Sequence, residues 1–272
     1  KCKASDGVGG TNETSQSVLV QKDDAIAIVI EGSDAIARRW GEEKTLFRIR
    51  INDTDRNVWV EAGVNCTFYF TKDGATYSVS LENQTDSFGY CSVYLKPDCS
   101  YSVGAQHWKG GITDQAYKAW NTTEQNYTVK GKLTIIIESP SENEVLYKTH
   151  VVNLNSSLLD DCSQSPTQSY SVTWYNETWS EIASGEDATW QIPAYYEVGP
   201  ELIRVNASGT YYDENTSQVL VYIYGFANIS EMLDNSTNDK PVQGEVVRVL
   251  CRVLDANSSK PIENYPINFS VD

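Results

Sequence analysis

The residues of this 272-residue chain that could do chemistry are few in kind: two histidines, six cysteines, an excess of carboxylates and an unusual set of asparagines. Nucleophilic catalysis of the serine–histidine–acid type needs an imidazole beside an activated hydroxyl or thiol. Only His107 and His150 could serve, one beside Trp108 on an expected strand and the other at the start of a strand. Both read as structural. Neither a Gly-X-Ser-X-Gly elbow, a phosphate-cradling glycine loop nor a His-Glu-X-X-His pair occurs. The expectation is therefore no catalytic residue and no enzyme. Thirty-seven Asp and Glu residues always contain some pair that could be named a glycosidase dyad, and without a cleft such a pair has no weight.

Calcium has one candidate. Asp53, Asp55 and Asn57 follow the alternating ligand spacing of a calcium loop, but Val58 stands where the loop needs glycine and Val64 where it needs the closing glutamate. The reading is an acidic turn, with a Ca2+ ion between modules at Asp53 or Asp55 as the alternative. Asp160-Asp161 and Asp213-Glu214 are read as solvated turns beside acceptor asparagines.

Fourteen of the nineteen asparagines stand in Asn-X-Ser/Thr sequons: Asn12, Asn52, Asn65, Asn83, Asn121, Asn126, Asn155, Asn176, Asn206, Asn215, Asn228, Asn235, Asn257 and Asn268. Random placement would give about three or four, so the excess marks an N-glycoprotein outside the cytoplasm. A net charge of −16 repels phosphate backbones and anionic lipid, which argues against nucleic acid as a partner. Apolar runs such as 25–30 and 219–224 are strand-sized, far below the roughly 20 residues that span a bilayer. Any signal peptide is expected to have been removed and any anchor to lie beyond this segment. Cys2, Cys66, Cys91, Cys99, Cys162 and Cys251 suit disulfides in an oxidising space and lack the spacing of a zinc site. One bridge is expected among Cys66, Cys91 and Cys99. Cys162 pairs with Cys91 or Cys99 or crosses to another chain; sequence does not choose.

The elements that must position these groups are strands. In the segment 46–52, Phe47, Ile49 and Ile51 share one face while Arg48, Arg50 and the acceptor Asn52 share the other. The same parity puts Asn65, Asn126, Asn206 and Asn268 on polar faces and Cys66 toward a core. The chain reads as all-β. An internal repeat sets the architecture: Gly41-Glu42 opens a strand ending at Asp53, with Asn65 on the next strand, and Gly244-Glu245 opens one ending at Asp255, with Asn268 on the next. A third copy runs from Val151 through Asp160-Asp161 to Trp174. A period of about 100 residues is the size of one immunoglobulin-like sandwich. The expected division is a terminal strand region of a preceding module (1–21), a module over 22–131, a second over 132–226 and an incomplete one over 227–272.

A half sandwich leaves an apolar face and strand edges unpaired. Either the 272 residues belong to a longer modular chain, or the N-terminal strand region of one copy completes the last module of the next and builds a polymer. Cys251 is expected inward with Val247, Val249 and Val253. Cys2 lies 16 positions before Val18, as the inward Ile203 lies 16 before Val219, so in a polymer Cys2 could pair with Cys251 of a neighbour. Trp174 is expected in the core; Trp120 and Trp179 are expected to be more exposed, the feature a carbohydrate-binding module would use.

The strings Val172-Thr173-Trp174-Tyr175, Ile182-Ala183-Ser184-Gly185-Glu186, Ala188-Thr189-Trp190, Val205-Asn206-Ala207-Ser208-Gly209 and Val221-Tyr222-Ile223-Tyr224-Gly225 resemble the tandem Ig-like modules of archaeal cell-surface glycoproteins. Gly89-Tyr90-Cys91-Ser92, Asp98-Cys99-Ser100-Tyr101-Ser102-Val103-Gly104 and Trp108-Lys109-Gly110-Gly111 are similar to the module that often precedes them. The resemblance, which spans most of residues 40–272, implies a structural protein of a surface layer, sheath or filament, or an adhesin. It implies self-association and no catalytic residues. The alternatives are an adhesin or carbohydrate-binding module, and the non-catalytic portion of a secreted hydrolase.

Overall fold

In the computed structural model, the structure describes residues 2–5, 11–14, 21–234, 249–256 and 259–262, and every regular element among them is a β-strand. The chain divides into two compact units, residues 1–130 and 131–272.

In the first unit β1 (Cys2–Ser5) and β2 (Thr11–Thr14) form an antiparallel pair. The sandwich that follows is built from β3 (Ala25–Glu31), β4 (Ala35–Arg38), β5 (Thr45–Asp53), β6 (Val58–Trp59), β7 (Asn65–Thr71), β8 (Tyr77–Gln84), β9 (Tyr90–Leu95), β10 (Gly104–Ile112), β11 (Trp120–Asn121) and the start of β12 (Gln125–Ser139). One sheet joins β3, β6 and β9 to β5; the other runs β8-β7-β10-β12, with β4 added parallel to β12. Alternation produces the layers: along β5, Phe47, Ile49, Ile51 and Asp53 are buried while Arg48, Arg50 and Asn52 are half-buried on the opposite face. Phe47 sits at the centre, its ring centroid 4.9 Å from Phe70, 5.1 Å from Trp108 and 5.6 Å from Tyr127, all edge-on. That arrangement matches the ring quadrupoles. Trp108 is fully buried, and its Nε1–H donates to the Gly32 carbonyl at 2.9 Å. Cys66 on β7 and Cys91 on β9, both fully buried, form a disulfide that ties one sheet to the other.

The second unit repeats the plan. Residues of β12 from Leu133 onward pair with β14 (Val151–Asp160), which pairs with β17 (Asp187–Gln191). The facing sheet runs β16 (Glu181–Ser184), β15 (Tyr170–Tyr175), β18 (Gly199–Gly209) and β19 (Tyr212–Tyr224), with β13 (Glu144–Tyr147) parallel to β19. Leu133, Leu154, Trp174, Ile203, Val205 and Val221 are fully buried between the sheets. In both units a short strand lies parallel to the last one, and the last three strands of the larger sheet are antiparallel neighbours. This is tandem immunoglobulin-like sandwich topology. A final hairpin, β20 (Ala227–Asp234) with β21 (Val249–Asp255), follows β19.

Candidate functional site: the joint before the last hairpin and the acceptor faces

Between β19 and β20 the chain passes through only Gly225 and Phe226. Lys148, just after β13, donates its backbone N–H to the Tyr224 carbonyl at 3.0 Å, and Ala256 donates to the Phe226 carbonyl at 2.6 Å. These bonds bring the Lys148 ammonium to Asp255 at the end of β21: Nζ lies 2.9 Å from Oδ2, with side chains 2% and 5% exposed. A Cβ at Gly225 would run into Asp255 Oδ2, so the glycine is there for close approach. Tyr147 covers the joint, stacked on Phe226 at 6.3 Å and meeting Tyr224 edge-on at 6.2 Å. A cavity of about 320 Å3 lined by Tyr196, Val198, Lys260 and Ile262 opens beside the ion pair. A buried pair of this kind is weak evidence for net stability, yet removing one member leaves an uncompensated charge. Geometry is what it specifies.

Beyond the joint, β21 keeps the expected parity: Val253 and Asp255 are buried and Cys251, a free thiol, is half-buried on the same face. Val249 of that face is 40% exposed, and Leu250 and Ile229 are 50% and 56% exposed. Val247 lies outside the described residues. The register of the first hairpin differs from the expected one. Ile203 does pair with Val219, but Cys2 pairs with Thr14. Residues 15–20 lie outside the described set.

The carboxylates correct two readings. Asp160 is 7% exposed, and its Oδ1 accepts the backbone N–H groups of Cys162 at 2.9 Å and Gln164 at 3.0 Å. It closes a turn from within rather than facing water. Asp213 and Glu214 lie inside β19, where the sequon beside them suggested a turn. Asp53, 1% exposed, ends β5 as Asp160 ends β14 and Asp255 ends β21, so the repeat carries a buried aspartate three times. Around the calcium candidate, Arg56 supplies the positive charge: Nη1 is 3.2 Å from Asp53 Oδ2 and Nη2 2.7 Å from Asp23 Oδ2. Asp55 Oδ2 accepts the Asp24 N–H at 2.8 Å, and Asn57 takes a left-handed conformation, φ 53°. Asp160, Asp161 and Cys162 also cluster, but that sulfur is committed to a disulfide.

The thiols sort into Cys66–Cys91, the bonded Cys99 and Cys162, and free Cys251. His107 shares a hydrogen bond of 3.0 Å between Nδ1 and Asn126 Oδ1, and the exposed His150 ring lies 5.6 Å from Tyr147. His107 Nδ1 also lies 3.6 Å from Glu124 Oε1.

Of the acceptor asparagines, Asn65, Asn83, Asn121, Asn126 and Asn228 are exposed, and Asn52, Asn155, Asn176, Asn206 and Asn215 are half-buried. Asn12 lies on β2 with its side chain undescribed, and Asn235, Asn257 and Asn268 lie outside the described residues. Asn155 lines an open depression of about 610 Å3 with Asn153, Ser184 and Asp187. Trp174 is fully buried while Trp120 and Trp179 are 47% and 54% exposed. Sequence reasoning missed Trp59, 41% exposed on β6; two residues are too few to show a period.

No protein-family model and no curated protein sequence matches the chain. Among solved structures it is similar to Sidekick-1 immunoglobulin domains 1–4 at 9% identity and a TM-score of 0.42, over 74% of this chain and 50% of that one. A tetra-tandem repeat from the extending region of a large adhesion protein aligns at 10% identity and 0.38, over 88% and 65%. The fibronectin(III)-like modules of Clostridium thermocellum CbhA align at 16% and 0.31, over 72% and 93%. The chain spans half the length of the Sidekick-1 fragment it matches.

Proposed function

We propose that the chain is an extracellular, N-glycosylated structural protein of a cell surface, a subunit of a filament, sheath or surface layer that works without catalysis and self-associates through its module ends. The carrying observation is the contrast on the second unit. The sandwich strands present acceptor asparagines at Asn155, Asn206 and Asn215, while one face of β20 and β21 presents Ile229, Val249 and the free thiol of Cys251. Glycans would shield the flanks, and an apolar face with an unpaired thiol is left for another chain. The disulfides support the address, since such bonds persist in oxidising compartments. In this reading the N-terminal strands of one copy add to the last hairpin of the next, and Cys2 bonds to Cys251 across that contact.

Sedimentation velocity of the glycosylated chain over a rising concentration series tests this. Association expected of the wild type should fall at least tenfold in Val249→Asp, which charges the face shared with Cys251. A wild-type chain that stays monomeric throughout would overturn the proposal.

A sugar-binding or adhesive role is the second reading. The exposed Trp120 and Trp179 favour it.

A further inference from the structure

Trp59, Trp120 and Trp179 are the exposed tryptophans, and each stands beside a sequon. Core uses of tryptophan are already met by Trp108, Trp174 and Trp190, which are 0%, 0% and 5% exposed. Leaving an indole in water forgoes the favourable burial of its apolar surface, so the three outer rings call for an occupant.

At Trp59 the geometry is closest. Trp59 on β6 is the register partner of Asn52 on β5, so the two side chains leave the sheet on one face, with Cβ atoms about 4.5–5.5 Å apart. Asn52 Nδ2 donates to the Val58 carbonyl at 3.1 Å, which holds the sugar-accepting nitrogen beside the indole and leaves it a second hydrogen to lose. Arg50 fixes the ring. Its guanidinium carbon lies 3.7 Å from the Trp59 centroid and 4.6 Å from that of Tyr90, and its Nε–H donates to the Phe88 carbonyl at 2.9 Å. One face of the indole is therefore covered by a cation, and the residue remains 41% exposed.

The same three parts recur at Asn176. Its Oδ1 accepts the backbone N–H groups of Thr178 at 3.1 Å and Ser180 at 2.8 Å, so the carbonyl end of the amide is held. In that turn Trp179 stands 54% exposed with the Arg204 guanidinium carbon 5.0 Å from its centroid. Two unrelated turns in two units thus combine an acceptor, an exposed indole and a stacked arginine.

We infer that Trp59 and Trp179 are docking platforms for the N-linked sugars carried by Asn52 and Asn176, the C–H face of the first sugar ring lying on the indole that Arg50 or Arg204 holds. The occupant is the chain's own glycan rather than a sugar from elsewhere. A tethered ligand is present at an effective concentration of the order of millimolar, which outcompetes free sugar at a single aromatic contact. The inference deepens the glycoprotein reading and rests on it. Its consequence is that glycans lie along the sandwich instead of extending from it.

The test uses the full chain from a glycosylating host. Glycopeptide mass spectrometry first reads occupancy at Asn52. NMR of the isotope-labelled glycan should then show ring protons of the first sugar shifted upfield, the shift lost in Trp59→Ala and partly kept in Trp59→Phe. Asn52→Gln should lower the melting temperature of the first unit by about 3–5 °C in the wild type and leave it unchanged in the Trp59→Ala background. An occupied Asn52 whose sugar signals ignore Trp59→Ala overturns the platform and spares the glycoprotein reading. A bare Asn52 overturns the platform at Trp59, and a chain bare at all its sequons overturns the glycoprotein reading with it.

Discussion

The two sandwiches share one topology and fasten it differently. In the first, a disulfide between β7 and β9 crosses the core and the fully buried tryptophan, Trp108, sits on β10. In the second, the fully buried tryptophan, Trp174, sits on β15, where its Nε1–H donates to the Gly185 carbonyl at 2.9 Å. Its distinctive fastening is the ion pair Lys148–Asp255, which reaches 107 residues along the chain to the last hairpin. The equivalent buried aspartate meets a local charge, Arg56, at Asp53 and a remote one, Lys148, at Asp255. Topology is thus set by period-two patterning and turn positions, while core volume and fastening can be exchanged between units. One unit has its two sheets locked by a disulfide through the core. The other carries a specified joint.

The comparison can be broken by removing each fastening in turn. Lys148→Met should cost the second unit about 3–5 kcal/mol by leaving the Asp255 carboxylate buried and unpaired, read by calorimetry as a lower transition for that unit alone. Adding Asp255→Leu should restore most of the loss; a double variant as unstable as the single one would mean that packing, not charge, is at stake. Trp108→Ala and Trp174→Ala should each cost about 3–5 kcal/mol in their own unit. Equal loss in both transitions from either variant would contradict independent cores.

Cys66→Ala with Cys91→Ala should cost the first unit about 3.5 kcal/mol, the chain-entropy value for a closed loop of this length, since the bridge spans 25 positions. Mild reductant should soften the first unit before it touches the Lys148 joint. Alkaline pH acts on both units, through Tyr101 in the first and Tyr170 in the second. Burial first, and then the Asp98 carboxylate, push the Tyr101 hydroxyl up to about 12. A raised phenol favours the neutral form in the folded chain, so its stabilisation is complete below pH 10 and is lost as pH rises from 10 to 12. Tyr101→Phe should flatten that part of the pH–stability curve for the first unit. The smallest effect is on the acceptors. Asn206 Nδ2 donates to both Glu214 Oε1 and Thr216 Oγ1, and Asn215 Nδ2 to the Leu133 carbonyl at 2.6 Å. In glycopeptide maps of chain modified after folding, Asn206, with its amide nitrogen donating twice, should be less occupied than Asn65 and Asn126.

Much of this was legible in the sequence wherever a strand was long enough to alternate. β5 and β14 show their faces from residue types alone, Cys66 was placed inward and Trp174 in a core. What escaped notice depends on partners remote in the chain or on elements too short to have a period. Asp160 looks like a solvated turn residue until the amides at Cys162 and Gln164 are in place, and nothing near Asp255 in the sequence points to the ammonium at Lys148. Asp213 and Glu214 read as a turn because acidic residues beside a sequon usually form one; β19 runs through them because β18 pairs along its whole length. Trp59 was passed over on two-residue β6, and the choice of Cys91 over Cys99 for Cys66 needed the packing of two sheets.

The central claim is that sugar-shielded flanks leave module ends to assemble. Electrophoresis of the glycosylated protein with and without reductant, beside electron-microscope imaging of the same sample, tests it most directly. The account predicts a ladder of multiples that collapses to monomer on reduction, with filaments or sheets in the images and no ladder from Cys251→Ser. A single monomeric species under both conditions, with all six cysteines paired internally, would contradict it.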